Sequence, residues 1–211
     1  MYAHALKLLK KINLLGYEAY IVGGYPRDKY LGVINKDIDI CTNMDAESAK
    51  KYFTVSSITQ FGTYKIDNFE ITAFRKDLYT NSRYPKITFV KTLAEDLKRR
   101  DFIINTLCID ADGNYVDLLN ARKDLDFKII KTVKNSDTSF KEDPLRIIRA
   151  LRFQIDLDFT LSSDIIDSIK ANIKLLDSLS DAKIKKEVNK AKNKERLMEL
   201  INYERKGNKL N

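Results

Sequence analysis

Apolar residues recur with a helical period through the first fifteen positions. Ala5, Leu6, Leu8, Leu9, Ile12 and Leu15 form one stripe, which Gly16 ends. The pattern then shortens. Residues 18–22 read as a strand, 26–31 as a helix stopped by Gly32, and 37–41 as a second strand. Asp45 is placed to cap a helix over 46–53, and short strands follow near 54–59, 63–67 and 69–74. The stretch from Arg75 to Pro85 has no clean period and reads as a long mobile loop. A strand over 86–90, a helix over 93–107 and a strand with a turn over 107–114 complete an alternating α/β order up to about residue 120. Beyond that point the chain reads as helical. Asp143-Pro144 predicts a helix start, with the aspartate as N-cap and the proline at the first helical position, running to about Ile155. Two more helices are expected over 160–176 and 180–203, with a frayed end over 206–211. The expected division is therefore a first domain over 1–120 and a helical domain over 121–211.

The strand at 37–41 carries the first candidate chemistry. Successive strand side chains alternate between faces, so Asp37 and Asp39 project together while Ile38 and Ile40 turn to the core. Paired carboxylates repel unless a cation lies between them. Hard oxygen ligands at this spacing suit Mg²⁺ shared with a substrate's phosphates. Upstream, Gly23-Gly24-Tyr25-Pro26-Arg27-Asp28 combines a Gly-Gly turn with Pro26 at an expected first helical position, an arrangement that binds anions. Together these point to phosphoryl or nucleotidyl transfer. Two solvated aspartates and an ordinary turn fit the same letters.

Composition narrows the classes. The 211 residues are 44% hydrophobic and 32% charged, as in a folded protein rather than a disordered one. No apolar run approaches bilayer length, and the N-terminus lacks a signal-peptide pattern, so the expected setting is the cytoplasm. Cys41 and Cys108, without C-x-x-C spacing, read as buried strand thiols rather than a disulfide or zinc ligands. A single histidine, His4, speaks against histidine acid–base chemistry. The net charge of +8 favours a polyanionic partner. The last 31 residues hold ten Lys/Arg and five Asp/Glu, so the final helix is either a solvated basic face or an RNA-backbone contact.

Two further clusters follow. In Arg99-Arg100-Asp101-Phe102-Ile103-Ile104-Asn105, a helix would make Asp101 and Asn105 neighbours one turn apart, able with an arginine to grip a ribose and a phosphate. A buried Asn–Asp pair is the plainer alternative. In Glu142-Asp143-Pro144-Leu145-Arg146-Ile147-Ile148-Arg149-Ala150-Leu151-Arg152-Phe153, the three arginines are spaced by three. Their mutual repulsion is a cost that an external anion such as a triphosphate would remove. Asp143 and Arg146 offer an acceptor beside a bidentate donor. This matches cytosine and adenine but leaves polar groups unpaired against uracil or guanine, at about 1–3 kcal/mol each. A cap and a solvated arginine face fit the letters as well.

The ordered series GGYPRD, DID, FEITAFR, EDLKRRDFIIN and EDPLRIIRALRF resembles the head and neck of the class II tRNA nucleotidyltransferases, the CCA-adding enzymes and their poly(A) polymerase relatives, over roughly residues 17–190. The resemblance implies an α+β fold: a nucleotidyltransferase-fold head, a small mixed sheet flanked by helices, followed by an all-helical neck. It implies metal carboxylates at Asp37 and Asp39, with Mg²⁺ as cofactor, and nucleotide contacts from Gly24 and Arg27. It places ribose and phosphate sensing on Arg100, Asp101 and Asn105. It places the template that reads ATP and CTP on Asp143 and Arg146, with Arg149 and Arg152 on the triphosphate. Glu70 matches a further carboxylate. The loop at 75–85 corresponds to the family's loop linked to adding A. The implied activity is addition of CCA to tRNA 3′ ends from CTP and ATP, with pyrophosphate released. Alternatives are a poly(A)-type tailing enzyme, a CC-only or A-only enzyme, or a non-catalytic RNA-binding module. Thr106 and Ala182-Lys183 depart from the family's usual alanine and Glu-Arg. In the family a body and tail that hold the tRNA follow the neck, so either this sequence is a piece of a longer protein or its basic C-terminal helix takes over that grip.

Overall fold

The computed structural model describes residues 1–80 and 83–207. It divides into two compact units: Met1–Leu78 with Pro85–Leu125, and Tyr79–Tyr84 with Asp126–Asn211.

In the first unit, helix α1 (Tyr2–Leu14) buries Ala5, Leu8, Leu9 and Ile12, the stripe its period predicts. Strand β1 (Ala19–Val22) leads through Gly23 into helix α2 (Gly24–Tyr30), and β2 (Asp39–Thr42) follows. Helix α3 (Ala46–Ala49) is capped by Asp45, whose carboxylate accepts the Ser48 N–H. Next come β3 (Val55–Ser56), β4 (Thr63–Ile66), β5 (Phe69–Ala73), β6 (Arg75–Leu78) and β7 (Lys86–Phe89). Helix α4 (Leu93–Leu97), a 3-10 turn (Ile103–Asn105), β8 (Cys108–Ile109), β9 (Tyr115–Val116) and α5 (Ala121–Asp126) complete the series.

Seven strands among the described residues form one sheet, ordered β3-β4-β5-β2-β1-β8-β9. The β2–β5 pair is parallel and the others are antiparallel, so the sheet is mixed. One core gathers Leu9, Ile12, Ile21, Ile40, Tyr64 and Ile71; another gathers Val22, Cys41, Phe74, Leu97 and Cys108. Each large aliphatic side chain withdrawn this completely contributes about 1.5–3 kcal/mol. Both cysteines are buried thiols, as their strand positions predict.

In the second unit, β10 (Ile129–Ile130) pairs in parallel with β11 (Thr160–Leu161). The rest is helical: α6 (Ser136–Glu142), α7 (Leu145–Leu157), α8 (Ser163–Asn172), a 3-10 stretch (Ile173–Ser178), α9 (Asp181–Val188) and α10 (Lys194–Gly207). Among the described residues, no helix is long and apolar enough to cross a membrane.

Several boundaries differ from those read off the pattern. Arg75–Leu78, expected in a loop, is a strand paired with Lys86–Phe89, and residues 79–84 belong to the second unit. Residues 81–82 of that loop lie outside the described residues, as do 208–211 of the expected frayed end. The helix expected over 93–107 ends at Leu97, because Asp101 captures the Phe102 N–H (2.8 Å) and holds Phe102 extended. The helix expected over 180–203 breaks in two. Asp156 takes the Lys192 N–H (2.8 Å), and Asn193 accepts the Arg196 N–H (2.9 Å) to start a new helix. Pro26 is the third residue of its helix, not the first. The segment expected to be helical from 160 begins as a strand, so the helical part carries one small parallel ladder.

Candidate active site

Strand β2 begins at Asp39, so Asp37, expected inside the strand, stands two residues ahead of it. The alternation nevertheless holds: Ile38 and Ile40 are buried, and both aspartates are exposed. Register extends this pattern sideways. Asp39 lies opposite Glu70 in the parallel β2–β5 pair, and Glu70 lies opposite Lys65 in the antiparallel β5–β4 pair. Opposed residues share a face, so a charged row crosses the sheet. Asp37, Asp39 and Glu70 line one cavity of ≈ 390 Å³ together with Lys36, Lys65 and Asn68. Loss of hydration inside the cavity wall raises the Asp39 carboxyl above the usual carboxylate range. The Glu70 charge pushes the same way, Arg100 opposes it, and Asp37 adds a smaller push.

Gly23 turns from β1 into α2 with φ +85°, a conformation that disfavours side chains, and a Cβ there would sit 3.6 Å from Asp39 Oδ2. Gly24 has even less room: a Cβ would meet the Asn35 amide nitrogen at 3.3 Å.

Distant stretches meet in one hydrogen-bond chain below this turn. Asp101 Oδ1 accepts from Asn105 Nδ2 (3.1 Å), and Asn105 Oδ1 accepts from Arg27 Nη1 (2.6 Å). Arg27 Nε donates to Asp28 Oδ1 (2.8 Å), Asn35 Nδ2 donates to Asp28 Oδ2 (2.7 Å), and Asn35 Oδ1 accepts the Asp37 N–H (2.8 Å). Arg27 and Asp28 are buried. Such a pair is costly unless geometry and hydrogen bonds compensate it, and here both partners are tied on two sides. The outcome is positional: the Asp37 backbone is pinned through Asn35 to the Gly-Gly helix and the 101–105 turn. Asp101 and Asn105 do meet, across a 3-10 turn rather than an α-helix.

Arg100 sits inward. Its Nη2 donates to Asp96 Oδ2 (3.0 Å), while the fully buried Asp96 also takes Arg99 Nε (2.8 Å) and the Arg75 N–H (3.2 Å). Burial would lower the Arg100 guanidinium, but the Asp96 charge and hydrogen bond, with the neighbouring Cys41 and Cys108, together outweigh it and keep the group firmly protonated. Arg100 thus acts on Asp39 as a fixed positive charge.

The second unit carries its own cluster. Asp143 is extended (φ −146°, ψ 101°), and its carboxylate accepts the Leu145 N–H (3.2 Å); the helix starts at Leu145 with Pro144 in the cap position, one residue later than Asp143-Pro144 predicts. Asp143 also pairs with Arg83 Nη2 at 3.0 Å. Arg146 is buried: Nη1 donates to Ser139 Oγ (3.0 Å) and Glu142 Oε2 (3.1 Å), and Nη2 to the Tyr79 hydroxyl (3.3 Å). Arg152 donates to Glu187 Oε1 (2.9 Å) and Asp156 Oδ2 (3.2 Å), and Arg149 Nη1 lies 3.6 Å from Glu187. Both guanidinium groups stack on the Phe153 ring. Repulsion along the arginine series is therefore already offset from within the unit.

Residues 19–131 match the Poly A polymerase head domain family, a little over half of the chain. The chain belongs to that family. Among curated proteins it is 40% identical over 195 residues to the CCA-adding enzyme of Lactobacillus johnsonii, covering 89% of this chain and 49% of that protein. Among solved structures it resembles the CCA-adding enzyme of Bacillus stearothermophilus in complex with CTP, with a TM-score of 0.77 and 34% identity over 87% of this chain and 47% of the other. It also resembles a tRNA nucleotidyltransferase complexed with a primer tRNA and an incoming ATP analog, with a TM-score of 0.72 and 30% identity over 93% and 59%. The chain spans about half the length of the curated relatives it matches. The α+β nucleotidyltransferase head followed by a helical part is thus its fold.

Poly(A) polymerase-type heads use a divalent metal. The donor set here is all carboxylate oxygen, which suits a hard cation, and the upward push on Asp39 from Glu70 and Asp37 is what a cation would relieve. Among the described residues no three side-chain ligands gather tightly enough to cage a metal alone. A cation shared with substrate phosphates needs no such cage.

Sequence reasoning passed over Asp28, Asn35, Asp96 and Glu187. The first two lie in or near the Gly-Gly block, so proximity to Arg27 and Asp37 was an available signal. Asp96 and Glu187 could be found only as acids placed three or four residues from basic neighbours.

Proposed function

We propose that this chain is an RNA nucleotidyltransferase that builds CCA on tRNA 3′ ends from CTP and ATP. The observation carrying this reading is that Asp37, Asp39 and Glu70 share one cavity in a poly(A) polymerase-type head whose relatives are CCA-adding enzymes. Residues 1–120 serve as the head and 121–211 as the neck. Asp37 and Asp39 would hold Mg²⁺, which would supply charge to offset the triphosphate; the RNA 3′-hydroxyl attacks the α-phosphate and pyrophosphate leaves. Glu70 adds negative charge beside Asp39. Gly24 and Arg27 contact the nucleotide, with Arg27 braced by Asp28 and Asn105. Asp101 and Asn105 meet the ribose, and Arg100 tempers the charge on Asp39.

In the neck, Asp143 and Arg146 read the base. Arg146 is held by Ser139 and Glu142, so its direction is set before a nucleotide arrives. Arg149 is the more open of the two further arginines (28% against 11%) and reaches the triphosphate, while Arg152 supports it through Phe153 and Glu187. The setting is cytoplasmic. The structures that carry CTP, an ATP analog and primer tRNA support this choice of substrates.

The test is incorporation. The protein is incubated with Mg²⁺ and a tRNA transcript lacking its 3′ CCA, with CTP, ATP or both, and products are resolved to single nucleotides. Extension by three with both nucleotides is expected. Long A tails would replace this reading with a poly(A)-type one, arrest after two would mean CC addition only, and no extension would leave an RNA-binding role.

A further inference from the structure

The charged row that begins at Asp39 does not end at Glu70. It continues through Lys65 on β4 to Ser56 on the edge strand β3. Two strand spacings separate Asp39 from Lys65, about 10 Å. Beside this row lies a second cavity of ≈ 360 Å³, lined by Ser57, Thr59, Phe61, Thr63 and Arg75. It shares Lys65 and Glu70 with the carboxylate cavity, so the two cavities adjoin at these side chains and together make a groove along the charged row.

The lining is polar and supplies donors. Lys65 is exposed and makes no ion pair among the described residues, although Glu70 lies directly across from it. Thr59 Oγ1 accepts from the Phe61 and Thr63 N–H groups, which leaves its own hydroxyl hydrogen to donate outward. Ser57 adopts φ +54°, a left-handed conformation that a serine adopts at some cost, and its hydroxyl makes no hydrogen bond among the described residues. The wall is the Phe61 ring with the Arg75 guanidinium over it at 5.8 Å, a flat surface suited to a base.

We propose that this groove is the track of the acceptor strand: with the RNA 3′-hydroxyl at the carboxylates, the terminal nucleotide lies along β4 and β5, and Lys65 holds its 5′ phosphate. The proposal rests on the nucleotidyl-transfer reading and adds where the RNA enters. A lone lysine beside two hydroxyls engages a phosphate without reading sequence, as an acceptor that changes identity after each addition requires.

The test compares wild type, Lys65→Gln and Lys65→Arg in binding a tRNA transcript that ends just before its CCA, over a range of salt concentrations. One single-strand phosphate contact contributes about 0.7 to the slope of log affinity against log salt. Lys65→Gln should lower the slope by about that amount, Lys65→Arg should restore it, and the KM for RNA should rise while the KM for CTP holds. On a transcript shortened by two further nucleotides, the difference between wild type and Lys65→Gln should vanish. An unchanged slope, an equal loss on the shortened transcript, or an effect confined to CTP overturns the proposal. Wild-type incorporation of CMP is the control. Its absence overturns the nucleotidyl-transfer reading and the track with it, whereas its presence with an unchanged slope overturns the track alone.

Discussion

Replacing Glu187 by glutamine removes a charge without changing shape. Glu187 is 2% exposed, its carboxylate accepts from Arg152 Nε at 2.9 Å and Lys190 Nζ at 2.8 Å, and it lies 3.6 Å from Arg149 Nη1. Lys190 is half exposed, so its share is about 1 kcal/mol at most. Arg152 is 11% exposed, and breaking a buried pair of this kind costs about 3–5 kcal/mol. Arg152 keeps its bond to Asp156 at 3.2 Å, and the glutamine amide oxygen can still accept one hydrogen bond, which brings the expected loss to about 2–3 kcal/mol. At about 2–4 °C per kcal/mol, the melting temperature falls by about 5–10 °C.

The pH dependence supplies a sharper check on Glu187. Burial pushes the Glu187 carboxyl up, but Arg149, Lys190 and Arg152 outweigh it and hold the group below the usual range. A depressed carboxylate stabilises the fold above its unfolded value, about 4.3, and the contribution fades as pH falls through the folded value. The gap between wild type and Glu187→Gln is therefore constant at neutral pH and closes below about pH 4. Urea denaturation followed by far-UV circular dichroism measures it at each pH, since the chain has no tryptophan. A gap below about 0.5 kcal/mol at pH 7, or one that persists undiminished at pH 3, would show that the arginines are not neutralised from within.

Asp39→Asn should lower incorporation by at least about a thousandfold, several kcal/mol of barrier. The same substitution should raise the melting temperature of the metal-free protein at neutral pH: partial loss of hydration beside the cavity wall, Glu70 and Asp37 raise the native carboxyl against the opposing Arg100, so its contribution is present below the unfolded value and lost as pH rises through the folded one. A neutral-pH melting temperature below wild type would refute the crowding argument. Asp143→Ala should cut discrimination of CTP over UTP by about tenfold or more, the equivalent of one or two unpaired polar groups. Competition between the two nucleotides measures it, with Arg83→Ala, which removes only the loop partner, as the comparison.

Local patterning carried far in this chain. The α1 stripe, the Ile38/Ile40 alternation, the Asp45 cap and the buried strand cysteines all follow from periodicity and capping chemistry that neighbouring residues supply by themselves. Boundaries failed where a remote side chain intervened. Asp156 ends the expected 180–203 helix from 36 residues away by taking the Lys192 N–H, and no window over 180–203 contains Asp156.

The candidate site divides along the same line. Which residues are eligible was legible in the letters: a D-x-D after a Gly-Gly turn, an Asp–Asn pair one turn apart, an aspartate before proline with arginines spaced by three. What each does to the others was not. Cross-strand register alone puts Glu70 beside Asp39 and Lys65 beside Glu70, because sequence spacing does not encode which strands pair. A buried charge must also find its partner wherever the fold delivers one, which is why Arg100 turns inward to Asp96 and Arg152 to Glu187 although the family pattern assigns both to the nucleotide. Short-range chemistry named the residues; long-range burial and pairing assigned their surroundings.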